Sequence, residues 1–174
     1  MKEAIKIDTG IFDTLPDHSR VWIYHAERKF TPAEKDIICD ALSSFTSEWR
    51  AHGIPLTSSF EIKFDSFIVL AVDEEAHGAS GCSIDGSTRA IKALEERLGL
   101  GLFERGKASF VHGKELLTVP LKKLKESAEA GEWNADTLSV NTLVATKGEL
   151  DESFVVPAGT TWLKRYLPTT HISG

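Results

Sequence analysis

The sequence has few cysteines and no long hydrophobic run, and each lack excludes a class of protein. Its two cysteines, Cys39 and Cys82, are too few and too far apart for a zinc motif or a disulfide framework. The longest apolar run covers residues 67–72, whereas a membrane-spanning helix needs about 20 apolar residues. No apolar stretch follows the charged N-terminal segment, so we expect no secretory signal and a cytoplasmic protein with reduced thiols.

Charge and histidine spacing exclude further classes. The 174 residues include 20 Lys and Arg against 26 Asp and Glu, which gives a net charge of −6. This balance argues against a general binder of nucleic acid or anionic membranes, although a local basic patch is compatible with it. The six histidines lie far apart without an i, i+4 pair, which argues against a metal site. We therefore expect no metal, no cofactor, no nucleic-acid partner and no membrane association.

A single domain over residues 1–174 is the organisation we predict, because no linker, repeat or low-complexity segment divides the chain. Its parts are an N-terminal arm, a centre and a C-terminal extension, at residues 1–19, 20–111 and 112–174. The clearest element is a helix after Thr31, which is typical of an N-cap. Pro32 suits the first helical position, and Glu34 completes a capping box. Apolar residues follow at helical spacing, at positions 38, 41, 42, 45 and 49.

Alternating and β-branched residues predict the strands of the centre. Residues 20–25 form the first strand, and residues 60–64 and 67–72 form a hairpin. A second helix with apolar residues 91, 94 and 98 on one face then leads to a strand at 108–111. This order, βαββαβ, is that of the ferredoxin-like fold, in which both helices cover one face of an antiparallel sheet. We therefore predict an α+β fold with a ferredoxin-like centre.

The C-terminal extension is predicted to be α/β as well. Its pattern indicates a short helix at 121–128, a strand at 137–146 and a helical turn with Trp162 and Tyr166. Polar residues at the end of that strand, Asn141, Thr146 and Lys147, have two interpretations. They either contact a ligand or close the strand and cap the next turn.

Several segments have a distinctive composition, above all Ser80-Gly81-Cys82-Ser83-Ile84-Asp85. Together with residues 21–24, 60–72, 141–150 and 157–162, this segment resembles a family of Bacteroidetes proteins often automatically labelled "ABC transporter ATPase". The resemblance spans most of the chain after residue 20. The family has no established activity, so the resemblance implies no particular reaction.

The ATPase label itself is testable against the residues. A P-loop requires G-x-x-x-x-G-K-[ST] between a strand and a helix, because its Lys and backbone N–H groups hold the phosphates and its hydroxyl binds Mg²⁺. Residues 101–108 contain the glycines and Lys107, but Ala108 replaces the hydroxyl. Residues 81–88 contain Ser87 in place of the Lys. We therefore expect no ATPase activity.

The polar segment 77–87 is the candidate site, and we expect it to be a loop that ends at the N-cap of the second helix, Asp85 or Ser87. Free N–H groups and the helix dipole favour an anion or a thiolate at such a place. The predicted ligand-binding residues are Ser80, Gly81, Ser83, Asp85, Ser87 and, from the extension, Lys147. The structural alternative is that Asp85 caps the helix, the glycines allow a tight turn, and Cys82 is a small buried residue.

Two functions remain open. The first is a non-enzymatic protein that binds a small ligand or another protein through segment 77–87, with a homodimer through an exposed sheet edge as one form of partnership. The second is an enzyme that acts on a small metabolite, with Cys82 as nucleophile and His77 as base. Thiol reactivity separates them, because only the enzyme needs an accessible thiolate near neutral pH.

Overall fold

The computed structural model describes residues 14–51, 53–73 and 81–168, with the backbone alone at positions 51 and 81–83. The chain divides into two compact units, which take their residues from 1–104 with 144–151 and from 105–143 with 152–174. The prediction of one domain stays a prediction. Helices and antiparallel sheets occur in both units, which confirms an α+β fold. No helix in the described ranges is long and apolar enough to cross a membrane.

The first unit contains a three-stranded antiparallel sheet, a short two-stranded hairpin and two long helices. In chain order its elements are β1 (Arg20–His25), α1 (Pro32–Glu48), β2 (Arg50–Ala51), β3 (Ile54–Pro55), β4 (Thr57–Lys63), β5 (Phe67–Asp73) and α2 (Gly81–Leu98). The strands of the larger sheet lie in the order β1-β5-β4. The sheet is therefore built around β5, whose residues 67–72 are all buried.

The predicted capping box of α1 is confirmed. The Glu34 amide donates to Thr31 Oγ1 at 3.1 Å, and Glu34 Oε1 accepts from the Thr31 amide at 2.8 Å. Both bonds satisfy amides that a helix leaves without partners at its start. Ile38 and Leu42 then bury the inner face of the helix.

The predicted hairpin of the centre is also confirmed, as β4 and β5. Their register pairs Lys63 with Phe67 and Ser58 with Val72. The turn between them places Phe64 and Asp65 at positive φ, 53° and 52°. Positive φ at two successive turn residues matches the right-handed twist of a hairpin.

The core of the first unit lies between its sheet and its two helices. Buried residues from the strands, including Tyr24, Phe60 and Leu70, pack in one cluster with Leu42 of α1 and Ile91 of α2. Full burial of such a side chain stabilises the folded state by roughly 1.5–3 kcal/mol. This cluster therefore holds both helices against the sheet.

The ferredoxin-like topology is not confirmed. Three of its four predicted strands do lie in the order that this fold requires, as β1-β5-β4. The fourth, at residues 108–111, belongs to the sheet of the second unit instead. On the side of β1 away from β5, isolated hydrogen bonds take the place of a fourth strand. The Glu104 amide donates to the His25 carbonyl at 3.0 Å, and the Val21 amide donates to the Ala145 carbonyl at 2.9 Å.

The second unit contains a four-stranded antiparallel sheet. Its elements are β6 (Lys107–His112), β7 (Glu115–Pro120), α3 (Leu124–Glu129), β8 (Leu138–Val140) and β9 (Val155–Pro157), in the sheet order β7-β6-β8-β9. The helix α4 (Lys147–Ser153) precedes β9 in the chain and belongs as far as Asp151 to the first unit, whereas a 3-10 helix of the second unit covers Trp162–Tyr166. Phe110 and Trp133 stack at 4.7 Å in the core of this unit. The predicted short helix and the closing turn are thus confirmed.

The predicted strand at 137–146 is much shorter than expected, because β8 ends at Val140. Asn141 Oδ1 accepts from the Leu143 amide at 3.1 Å, which forms an Asx turn and removes this part of the chain from the sheet. Of the two interpretations of Asn141 and Thr146, the structural one describes these contacts, since Thr146 Oγ1 then accepts from the Glu149 amide at 3.2 Å at the start of α4.

Candidate functional site

The candidate segment 77–87 is not a loop throughout, because α2 begins at Gly81. The prediction that Asp85 or Ser87 is the N-cap is therefore wrong, and both residues lie inside the helix. Gly86 costs helix stability relative to Ala, about 1 kcal/mol. Burial of the following helix face, at Ser87 and Ile91, opposes that cost.

Local hydroxyl contacts explain how such a polar sequence remains helical. Ser87 is fully buried, and its Oγ donates to the Ile84 carbonyl at 2.7 Å. Thr88 Oγ1 donates to the same carbonyl at 3.3 Å. Since these hydroxyls are satisfied by the backbone of their own helix, Ser87 has a structural role in addition to any contact with a ligand.

The structure describes the remaining predicted residues of this segment to different extents. His77 and Ser80 lie outside the described residues. Gly81, Cys82 and Ser83 form the first turn of α2 as backbone, and their side chains lie outside the description. Asp85 is exposed on the second turn of the helix. The pairing of His77 with Cys82 accordingly stays a prediction.

Lys147 lies at the start of α4, where its side chain is buried. Its Nζ donates to Asp151 Oδ2 at 3.0 Å, one helical turn further along. The Lys147 amide donates to the Ser19 carbonyl at 2.8 Å, and the Gly148 amide donates to the Asp17 carbonyl at 2.9 Å. These contacts hold α4 against the segment that leads into β1, so the described contacts of Lys147 are structural.

A row of aromatic rings and one guanidinium lies at the end of the first sheet where β5 finishes. The Arg20 guanidinium carbon lies 5.0 Å from the centre of the Trp22 ring. Trp22 is 5.9 Å from Trp49, and Trp49 is 4.9 Å from Phe45, between ring centres. A cation in contact with an aromatic face is stabilised by about 0.5–1 kcal/mol at an exposed position.

This row lies in the part of the first unit where α2 begins. β2 follows Trp49 directly and packs against α2. The far end of α2 is at the opposite end of the sheet, where the Leu102 amide donates to Glu95 Oε2 at 2.7 Å and the Gly101 amide to Glu27 Oε1 at 3.0 Å. Because α2 ends there, we infer that its contact with β2 lies towards its start. No site role was predicted from the sequence for Trp22 or Arg20, and the signal that was missed is that the two residues are two positions apart on one strand.

Among the described residues, Asp73 provides a carboxylate at the same end of the sheet. Its Oδ1 lies 3.1 Å from His18 Nε2, and the two residues form an ion pair when the imidazole is protonated. No acidic residue occurs in the first turn of α2. Among the described residues of α2, the first turn itself therefore contributes no negative side chain to offset the positive end of the helix dipole.

Three described groups, Arg28, Glu34 and Cys39, have pKa values that are clearly displaced, and the hydrogen bond to Glu34 raises the pKa of Arg28. The Arg28 guanidinium donates to both Glu34 oxygens at 2.9 Å, and with the Thr31 amide it lowers the pKa of Glu34 to about 2. Burial raises the pKa of the Cys39 thiol, and the charges of Asp36 and Asp40 raise it further. Cys39 is thus a poor nucleophile at neutral pH.

No group of three or more His, Cys, Asp or Glu side chains in the described ranges is arranged to hold a metal ion. No family model, no curated protein and no solved structure matches the chain. Any functional conclusion therefore depends on the residues and contacts given above.

Proposed function

We propose that this protein is a non-enzymatic binding protein whose first unit holds a small anion at the first turn of α2. The observation that carries the proposal is the start of α2 at Gly81 without an acidic residue in its first turn. The first amides of a helix have no partner within it and favour a carboxylate or a phosphate group. Of the predicted ligand residues, the proposal keeps Ser80, Gly81 and Ser83.

The neighbouring row of side chains supports an anionic ligand independently of the helix. Arg20 lies at the first position of β1 and is exposed, and its guanidinium rests on the Trp22 ring. Stacking on a ring restricts a guanidinium, so less conformational freedom is lost when it binds a carboxylate or a phosphate. Arg20 is the side chain that we expect to reach the ligand.

A titration with inorganic phosphate and with acetate tests this proposal. We expect the amide resonances of residues 81–84 and the Arg20 side chain to shift together as either anion saturates, with a dissociation constant near about 1 mM. Ser83→Asp supplies a competing negative charge, so it should abolish these shifts. The same substitution should raise the stability of the free protein by about 0.3–1 kcal/mol, since it places an acid in the first turn.

Ala93→Asp is the matched control, because it adds the same charge to an exposed position further along α2. It should leave the phosphate titration unchanged. Wild-type amides that do not move with either anion, or a Ser83→Asp variant that titrates like the wild type, would contradict the proposal.

The second candidate function is an enzyme that uses Cys82 as its nucleophile. It is favoured by one observation, that the backbone of Cys82 lies in the first turn of α2. A helix N-terminus lowers the pKa of a thiol and so increases its thiolate fraction at neutral pH. The pH dependence of iodoacetamide labelling separates the two functions, with Cys39 as an internal control. Labelling of Cys82 no faster than that of Cys39 at every pH would exclude the enzyme.

We further propose that the protein is cytoplasmic and belongs to the Bacteroidetes family that the sequence resembles. We also propose that the order β1-β5-β4 is part of a ferredoxin-like centre, and that the protein forms a homodimer through a sheet edge. Support for the dimer comes from β7, which pairs with β6 on one side and forms an edge of the second sheet. Light scattering after size exclusion tests it. A mass of one chain, 19.1 kDa, at every concentration would contradict it.

A further inference from the structure

The second unit differs in charge from the rest of this acidic chain. It contains eight Lys and Arg against six Asp and Glu, whereas the first unit contains 12 against 20. Seven of the eight basic residues fall in three short segments. We call them the basic surface, and they are Arg105, Lys107, Lys122, Lys123, Lys125, Lys164 and Arg165.

Backbone and core contacts bring these three segments together. The Leu121 amide donates to the Gly106 carbonyl at 2.9 Å, which places residues 105–107 beside residues 122 and 123. The 3-10 helix Trp162–Tyr166 packs against α3, and Leu124 and Leu163 share one buried cluster. The basic residues of the segments therefore occupy adjoining parts of one unit.

Most of these charges have no internal counter-charge. Lys123 Nζ lies 3.7 Å from Glu126 Oε2, at an exposed position where an ion pair contributes little. Across the described part of the chain, five others have no carboxylate partner and are exposed: Arg105, Lys122, Lys125, Lys164 and Arg165. A cluster of unpaired like charges raises the local potential and attracts anions.

Two aromatic rings flank the cations of the 3-10 helix. Trp162 and Tyr166 are half-buried and meet edge to face at 6.0 Å, and Lys164 and Arg165 lie between them in sequence. Proteins that bind single-stranded nucleic acid combine basic side chains along the backbone with aromatic rings on which bases stack. The 162–166 segment carries both kinds of group.

We propose that the basic surface binds single-stranded nucleic acid through its phosphates, with the Trp162 ring as a base contact. A membrane surface fits less well, because it favours large apolar side chains beside the cations. In the described ranges those that are most exposed, Ile54, Leu138 and Leu143, lie outside the basic surface. The net charge of −6 argues against a general electrostatic binder and is compatible with this local basic surface.

Fluorescence anisotropy with labelled oligo-dT and oligo-rU tests the proposal. We expect binding that weakens with salt, with a slope of about −3 in log Kobs against log salt concentration if four phosphates are neutralised. Lys122→Glu/Lys125→Glu should weaken binding at least about tenfold at low salt. The matched control Lys92→Glu/Arg97→Glu makes the same charge change on exposed residues of α2 and should bind like the wild type.

The aromatic contact has its own variant, Trp162→Leu, which should weaken binding by about 5-fold or more, as loss of one stacked base does. Because Trp162 also packs against the core, Lys164→Glu/Arg165→Glu provides a second variant that leaves the rings in place. Equal affinity for duplex and single strands, or binding to phosphatidylserine vesicles without binding to either oligonucleotide, would overturn the proposal. So would an unchanged affinity in the Lys122→Glu/Lys125→Glu variant.

Discussion

The substitution Ser19→Ala is a test of the fold, because it should raise the stability of the protein, whereas most substitutions lower it. The Ser19 side chain is fully buried, and its Oγ has no hydrogen-bond partner, alone among the buried side-chain oxygens and nitrogens of the described residues. Its backbone is well bonded, since the Ser19 amide donates to the Pro16 carbonyl at 2.9 Å and its carbonyl accepts from Lys147. Ser19→Ala should therefore stabilise the protein.

The size of the effect follows from two opposing contributions. A buried polar group without a partner costs about 1–3 kcal/mol, and Ser19→Ala removes that cost. The substitution leaves a void smaller than a methyl group, which costs less than about 1 kcal/mol. The expected gain in the free energy of unfolding is about 1 kcal/mol, or about 2–4 °C in Tm for a chain of this length.

Urea unfolding followed by far-UV circular dichroism and by tryptophan fluorescence measures this gain. Ser58→Ala is the matched control in the same unit, because Ser58 is also buried but its Oγ donates to the Thr46 carbonyl at 3.3 Å. We expect the control to lose about 1 kcal/mol. If Ser19→Ala destabilises the protein as much as Ser58→Ala does, the Ser19 hydroxyl has a partner and the reasoning is refuted.

Three further substitutions or measurements follow from single contacts. Gly159→Ala should lower the free energy of unfolding, measured with urea, by about 1–3 kcal/mol. The new alanine Cβ would lie 2.8 Å from Ala135 Cβ and 3.1 Å from the Ala135 carbonyl oxygen. Glu34→Gln should lower the free energy of unfolding by about 1 kcal/mol at neutral pH. Since the pKa of Glu34 is about 2 in the folded protein and 4.5 unperturbed, the difference in stability between wild type and variant should disappear as the pH falls from 4.5 towards 2. Cys39 should react with iodoacetamide at neutral pH more slowly than in urea, because burial raises its pKa, and equal rates would contradict this.

Local patterns predicted the elements whose signals lie close together in sequence. The Thr31 capping box, the hairpin formed by β4 and β5, and the helix before Gly131 all depend on residues a few positions apart. Such signals act through adjacent backbone groups, so one sequence is enough to read them. The assignment of the elements in these regions is accordingly confirmed.

Long-range pairing was not predictable in the same way. Strand β6 has the composition expected of a fourth ferredoxin-like strand, yet its second partner, besides the adjacent β7, is β8, through Phe110 and Ser139. Pairing partners far apart in sequence are selected by packing of the whole sheet, and no local pattern records that selection. The same competition shortened the strand predicted at 137–146, where the Asx turn at Asn141 replaced the sheet.

The predicted start of α2 was wrong for the reverse reason, since the local signals there were misleading. Ser, Gly and Asp favour turns when they are exposed, and residues 80–87 contain three Ser, two Gly and one Asp. Burial of Ser87 and its bond to the Ile84 carbonyl make the helix the better state. The start of α2 moves from the expected Asp85 or Ser87 to Gly81, and the proposed anion-binding amides move with it.

The direction of the resolved pKa shifts bears on the choice between binding and catalysis. A general acid or base at neutral pH needs a pKa moved towards 7, by burial of a carboxyl group or by charges near a thiol. Glu34 moves the other way, to about 2, because Arg28 and the start of α1 stabilise its carboxylate. Cys39 also moves away from 7, because burial and two carboxylates disfavour its thiolate. The contacts that displace the pKa values of Glu34 and Cys39 therefore stabilise the fold and do not prepare either group for catalysis. Of the two cysteines, only Cys82 is then a candidate nucleophile, and iodoacetamide labelling of Cys82 separates an enzyme from a binding protein.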